Sequence, residues 1–428
     1  MKAILDLVGR HRAGEPVGIY SVCSAHPLAI KAALRHALEI GGDALIEATS
    51  NQVNQEGGYT GHRPAGFRDL VWSLADQAGL PRDRVLLGGD HLGPNAWRSL
   101  PAEQAMGRAA VMVSDYVTAG FRKIHLDCSM SCAGDPRGLS DAVIAERTAI
   151  LCGRTEAAWR EAGGEPPVYV IGSEVPVPGG AQEALSELAV TDPEAARATV
   201  EAHRQAFVRH GLEAAWERVI GLVVQPGVEF DNHHVVEYVP AKAERLSASI
   251  AAVPHLVFEA HSTDYQSPAS LAALVRDHFA ILKVGPGVTF ALREALWALD
   301  RIGQEWQGED RSPSLRDTVL ATMRGDPGYW RPYYEGQGAE LDLQLQYSLS
   351  DRIRYYWPAE RVSRAVKRLC AVIDADPPPL ALVSQYLPAA YEAIRAGELA
   401  LKGEDLVIHH IRETLTQYSR ACDQRSTH

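Results

Sequence analysis

Eight short runs of branched and small apolar residues, separated by longer stretches with helical spacing, constrain this chain more than any other feature. The runs are 18–24 (GIYSVCS), 44–50 (ALIEATS), 84–91 (RVLLGGDH), 123–129 (KIHLDCS), 168–175 (VYVIGSEV), 219–227 (VIGLVVQPG), 256–263 (LVFEAHST) and 280–287 (AILKVGPG). Near-continuous apolar runs of this length suit strands buried on both faces. Between them, residues 27–40 place Leu28, Ala32, Leu34, Ala37 and Leu38 at helical intervals, and 193–211 is rich in Ala, Glu and Arg. A strand-then-helix unit repeated eight times means parallel strands with crossover helices, which close into a barrel. The expected fold is therefore α/β: a (β/α)8 TIM barrel over 1–300 with a C-terminal helical extension, 301–428, packed on it. The extension has a proline break at 377–379, clustered Tyr and Trp, and helical patterns at 358–373 and 404–418. No GxGxxG follows the first run and no GxxxxGK[ST] occurs, which counts against a dinucleotide-binding fold and a P-loop kinase, leaving kinases of other folds open.

Composition narrows the function classes. At 428 residues and 46% hydrophobic, the chain can bury a large core, and no long biased run suggests disorder. Apolar stretches such as Val219–Val224 are far too short to span a bilayer, and the first residues lack an apolar signal core, so a cytoplasmic protein is expected. With 54 acidic and 42 basic residues the net charge is −12, which disfavours nucleic acid and leaves room for a local basic pocket. The six cysteines are scattered, and only Cys128 and Cys132 are close. Small buried side chains are the expected reading there, because no second pair completes a zinc site.

The chemistry is positional. Each run ends in polar or ionisable residues: Cys23 to His26; Glu47 and Thr49 to Gln52; Asp90-His91; Asp127 and Ser129; Glu174; Gln225; Glu259, His261 and Asp264; Lys283. In a barrel the C-terminal rim aims such ends at one point. His91, Glu174 and His261, from the third, fifth and seventh runs, would face one another as ligands of Zn²⁺ or another borderline divalent ion, with Gln225 as a weaker fourth. His233 and His234 would replace it only if the sixth strand ran further; exposed loop histidines are the simpler reading. Asp90 beside His91 suits proton transfer at such a site, and equally suits a cap for the Gly93-Pro94-Asn95 turn. Asn51, Gln52 and Ser129 are candidate substrate contacts, Ser129 as part of a hydroxyl-bearing loop (129–134) that could take a phosphate. Lys283 and the loop 285–289, before a helix expected near Phe290, are candidates for phosphate. In the extension, YSLSDRIRYYWP (347–358) offers Arg352 and Arg354, either as a phosphate clamp reaching over the mouth or as ion-paired packing.

Several long segments resemble one family. SVCSAHP (21–27), IEATSNQVNQEGGYTG (46–61), GGDHLGPN (88–95) and HLDCSMSCAGDP (125–136) are similar to the GatZ/KbaZ family, the Z subunit of D-tagatose-1,6-bisphosphate aldolase. GSEVPVPGG (172–180), VVQPGVEFD (223–231), EAHSTDYQ (259–266) and HFAILKVGPGVTFALREA (278–295) continue the match, as does 347–358. The resemblance implies kinship with zinc-dependent class II aldolases. It assigns Asp90 as the acid–base residue, His91 and His261 as ligands, and Asp127 and Glu174 as catalytic carboxylates. The chain departs from that pattern at Gln225-Pro226-Gly227, where those aldolases have a ligand histidine, and at His261-Ser262-Thr263-Asp264, where they have a Gly-Ser phosphate loop. Two implications stand together. One is a metal-dependent ketohexose (phosphate) 4-epimerase that interconverts fructose and tagatose forms by retro-aldol chemistry. The other is a non-catalytic subunit that stabilises and activates the catalytic Y subunit. A sugar or sugar phosphate, the Y subunit and further copies of the chain are the expected partners.

Overall fold

Pairing of the eight runs closes a barrel. A computed structural model describes residues 1–173, 188–253, 255–308 and 314–423. Its strands are β1 (Ile19–Val22), β2 (Ala44–Thr49), β3 (Val85–Leu92), β4 (Lys123–Leu126), β5 (Val168–Gly172), β6 (Val219–Val224), β7 (Glu229–Phe230), β8 (Val235–Val236), β9 (Val257–Ala260) and β10 (Ile281–Val284). Eight of them form a closed barrel in the order β1-β10-β9-β6-β5-β4-β3-β2, while β7 and β8 make a separate antiparallel ribbon. The ring is closed by parallel pairing of β1 with β10, from Ile19 opposite Ile281 to Val22 opposite Val284. The expected TIM barrel is what the chain forms. The helix after β10 begins earlier than expected, at Pro286 rather than near Phe290. Proline is pre-set for a first helical turn, where its missing N–H costs nothing.

The barrel interior is stratified because inward positions recur every second residue. At the bottom, Leu45, Leu86, Val168, Val257 and Ile281 form an apolar plug completed by Ile4 and Val8 of the helix Lys2–Arg12. Two residues further along the strands the inward side chains become charged, and two further they become imidazole and carboxylate. Both outer layers of this stack are ordinary for the fold; the charged middle is not, since buried charge is tolerated only when paired.

The helical ring is completed from the far end of the chain. The last helix, Gly403–Cys422, packs between helices Pro27–Glu39 and Pro268–Arg276 and touches β1. Gly18 donates its N–H to the Cys422 carbonyl at 2.8 Å, and the Tyr418 hydroxyl donates to the Thr263 carbonyl at 2.7 Å. The helix Pro286–Gln307, which directly follows β10, lies against this last helix. The strands thus end before residue 300, but the ring around them needs residues beyond 400. Among the described residues, no helix is long and apolar enough to cross a membrane.

One ionic contact of that last helix generates a pH prediction. His410 lies 3.2 Å from Glu294 of the helix Pro286–Gln307 and 2.9 Å from Glu413. Burial disfavours its charged form, but the two carboxylates outweigh burial and raise its pKa to about 9. A raised folded-state pKa stabilises the fold fully below the unfolded value of 6.5, and that contribution is lost as pH climbs through about 9. Because the side chain is partly solvated, the effect is roughly 1–2 kcal/mol. Urea unfolding at pH 6.5 and 9.5 should show wild type losing about that much more stability than His410→Gln; parallel losses would contradict it.

Candidate active site

A β-bulge brings the two central residues to the same side. Alternation on a regular strand would send Asp90 and His91 to opposite faces. Here the register of β3 against β4 shifts between Gly89 and Leu92, and His91 takes a left-handed backbone with φ 47°. That conformation costs a non-glycine residue about 1–2 kcal/mol. The flanking glycines are required by close approach. A Cβ on Gly88 would lie 2.5 Å from Glu47 Oε1, and one on Gly93 would lie 1.7 Å from the Asp127 carbonyl oxygen.

Three imidazoles and a carboxylate meet at this point. Ligand atoms of Asp90, His91, His125 and His261 all lie within 4.8 Å of one another, and all four residues are buried. Each imidazole is oriented by a partner on its other nitrogen. His91 Nδ1 is 2.9 Å from Asp127 Oδ2, His261 Nε2 is 2.9 Å from Glu259 Oε1, and His125 Nε2 is 3.0 Å from the Gly172 carbonyl. With those nitrogens donating, His91 Nε2 and His261 Nδ1 turn their lone pairs towards each other at 3.1 Å. Two ligands of a tetrahedral zinc ion stand about 3.4 Å apart at ordinary bond lengths. His125 Nδ1 lies 3.0 Å from Asp90 Oδ1 and accepts the His91 backbone N–H at 3.2 Å, a bond that ligation of a cation by this nitrogen would replace.

Beneath this cluster lies the charged layer. Lys123 Nζ is 2.7 Å from Glu47 and 2.6 Å from Glu259. Lys283 contacts Glu47 and lies 3.0 Å from Asp90. Among the described residues, Glu47, Asp90 and Glu259 face the two ammonium groups and Asp127 lies against His91, so four carboxylates stand against two ammonium groups before any imidazole is protonated. Burial alone would raise all of these acids. The imidazoles around it, His91 foremost and His125 and His261 with it, instead hold Asp90 well below the usual carboxylate range. Glu259, opposed by burial but faced by Lys123 and His261, falls to about 2. Burial lowers the Lys283 ammonium. A donor set of imidazole nitrogens and one carboxylate, over a layer short of two positive charges, fits a borderline divalent cation.

Above the cluster opens a cavity of about 910 Å³, to which Asn51, Gln52, Asp90, His91, His261, Lys283 and Arg354 all contribute. The extension reaches over the mouth, since Tyr333, Arg352, Tyr355 and Trp357 also line the cavity. Arg354 donates to the Ser350 and Asp351 carbonyls and lies 3.3 Å from the Tyr355 hydroxyl, so hydrogen bonds hold it, with no ion pair among the described residues. Gln52 is pinned across the rim, accepting from Thr49 N at 2.9 Å and donating to the Cys23 carbonyl at 3.3 Å.

Other expected residues stand differently. Glu174 lies outside the described residues. Gln225 Oε1 accepts the N–H groups of Gly227 and Val228 at 2.8 and 2.9 Å, which occupies both its lone pairs in closing that turn. His233 and His234 are exposed on the ribbon loop around Asp231. Both oxygens of Asp127 are engaged: one holds His91, and the other accepts the Ser129 N–H at 3.0 Å and hydroxyl at 2.6 Å. Ser129 is thereby turned onto Asp127. The 285–287 loop, expected to offer free amides to a phosphate, does not: Gly285 and Gly287 donate to Asp264 Oδ1 at 2.9 and 2.7 Å. A carboxylate of the chain already fills that helix N-terminus, and burial pushes its pKa up to about 6 despite those bonds. Cys128 and Cys132 are buried free thiols, as expected. Sequence reasoning misses His125 and Lys123. Their signal is the alternation Lys123, His125, Asp127, which gives all three the same facing.

The comparisons bear on this site. A family model described as D-tagatose-1,6-bisphosphate aldolase subunit GatZ/KbaZ-like matches residues 4–423. The crystal structure of a probable tagatose 6-phosphate kinase from Sinorhizobium meliloti 1021 is 48% identical, with a TM-score of 0.88 over 95% of this chain and 100% of that one. The YdjI aldolase of Escherichia coli K12 is 12% identical, with a TM-score of 0.41 over 87% of this chain and 97% of that one. A fructose-bisphosphate aldolase from Campylobacter jejuni is 16% identical, with a TM-score of 0.42 over 87% and 92%.

Orientation of His91 by Asp127 makes a direct prediction. Asp127→Asn should weaken Zn²⁺ binding about 10–100-fold while leaving the fold intact, and His125→Ala should weaken it further. Competition with a chromophoric chelator measures both; unchanged affinity in the two variants would contradict the ligand set.

Proposed function

We propose, from the premise that this chain belongs to the D-tagatose-1,6-bisphosphate aldolase subunit GatZ/KbaZ-like family, that it is a metal-dependent 4-epimerase of ketohexose phosphates. The observation that carries this reading is the convergence of His91, His125, His261 and Asp90 at the floor of a sugar-sized cavity. A divalent cation at these imidazoles, Zn²⁺ by the donor set, supplies Lewis-acid polarisation of the ketose carbonyl.

The remaining chemistry falls to the chain itself. Asp90 takes the proton of the C4 hydroxyl. The C3–C4 bond opens, its electron pair passes to the three-carbon fragment bearing the carbonyl, and C4 becomes an aldehyde. After the aldehyde turns its other face, the same carbon re-forms the bond and the proton returns to the C4 oxygen. No atom is gained or lost, so fructose and tagatose configurations interconvert. Lys283, 3.0 Å from Asp90, holds the carboxylate in place. Asp127 and Glu259 fix the imidazole tautomers. Asn51 and Gln52 contact sugar hydroxyls, and Arg354 binds the phosphate at the end of the cavity that the extension covers. Ser129 acts through Asp127.

The family's description as an aldolase subunit supports a second reading, in which the chain stabilises a catalytic Y-type partner. Against it stands the buried negative excess, which a purely supporting barrel would keep at a cost in stability. Purified chain, without a partner subunit, should convert fructose 6-phosphate to tagatose 6-phosphate with Zn²⁺ and stop with a chelator. Asp90→Asn should lose about 10²–10⁴-fold in turnover. No turnover in the presence of metal would favour the subunit reading.

A further inference from the structure

A second cavity, of about 330 Å³, is lined by residues 293–304 of the helix Pro286–Gln307 together with Arg316, Tyr347 and Tyr386. Its charged residues divide into two groups. The carboxylates are already engaged. Glu294 meets His410 at 3.2 Å, and Asp300 accepts the Leu315 and Arg316 N–H groups at 3.0 and 3.1 Å. Arg301, also on the lining, is paired with Glu305 at 2.9 Å.

Arg293 is different. It is only 4% exposed, and it lines this cavity. Its guanidinium sits over Phe290 at 4.1 Å and Tyr347 at 5.3 Å. Among the described residues it has no carboxylate partner, and its Nε is buried without a hydrogen-bond acceptor. The Trp297 indole N–H beside it is also buried and unanswered. At the rim, the Arg316 guanidinium donates to Gln346 and has no ion pair among the described residues. The Asp351 carboxylate feels the Arg293 charge without hydrogen-bonding to it, so among the described residues the guanidinium's donors go unused, which is costly unless an acceptor arrives.

We infer that this cavity binds a small phosphate-bearing anion, with Arg293 and Arg316 as its cationic contacts. Guanidinium forks match a phosphate's oxygens, and the volume suits inorganic phosphate or a short phosphate monoester rather than a nucleotide. The inference does not depend on the proposed epimerase activity. The cavity is also linked to the site. Phe290, under Arg293, packs on Tyr265 at 5.4 Å, and Tyr265 packs on Phe230 at 5.1 Å. Phe230 lines the main cavity.

Isothermal titration of the full chain with inorganic phosphate, and separately with glycerol 3-phosphate, tests this. At least one should bind, and Arg316→Gln and Arg293→Met should each weaken that binding tenfold or more. Tighter binding of the monoester would identify an organic phosphate as the occupant; equal binding would identify free phosphate. Arg316 is on the surface, so its variant keeps the test valid if Arg293→Met fails to fold. Absence of binding by both anions, or affinities within twofold of wild type in Arg316→Gln, would overturn the inference.

Discussion

Everything at the mouth of this barrel depends on charge buried beneath it. Lys123 is fully buried between Glu47 and Glu259, and Lys283 extends the pairing to Asp90. A lysine in that position is tolerable only while its partners stay ionised. The pairing therefore fixes the side chains of four strands at one level and sets the height of the imidazoles above it. Glu259 acts in both layers, paired to Lys123 below and to His261 above. The negative excess makes the centre a receptor for positive charge, and a protonated imidazole or a cation are the two ways of supplying it.

Backbone geometry supplies the other half. Without the bulge at Asp90-His91, one of the two residues would face the helices. The glycines on either side let β3 approach Glu47 and the Asp127 carbonyl closely enough to form it. Strain at His91 and crowding at Gly93 are thus parts of one device. Its energy comes from the closed ladder and the surrounding core.

Much of this was legible in the sequence. The eight runs predict the barrel because parallel strands buried on both faces need continuous apolar stretches. Asp90, His91 and His261 are legible because strand ends in a barrel share a rim. His125 and Lys123 were harder to see because they sit inside a strand, where an ionisable residue looks like an exception to burial; period two alone would have recovered them. The helix N-terminus at Pro286 looks like an anion site from sequence, because nothing local reveals that Asp264, more than twenty residues earlier, folds back to occupy it. The closing of the helical ring by Gly403–Cys422 has no local signature either. It follows from the long excursion of the chain after β10, and only tertiary packing shows where the last helix returns.

The central claim is that one divalent cation is held by imidazoles of three different strands. X-ray absorption at the zinc edge on the purified, metal-loaded chain reads the ligand shell directly. About three imidazole nitrogens near 2.0–2.1 Å and an oxygen at a similar distance are expected. A shell of oxygen alone, or of sulfur, would contradict the claim.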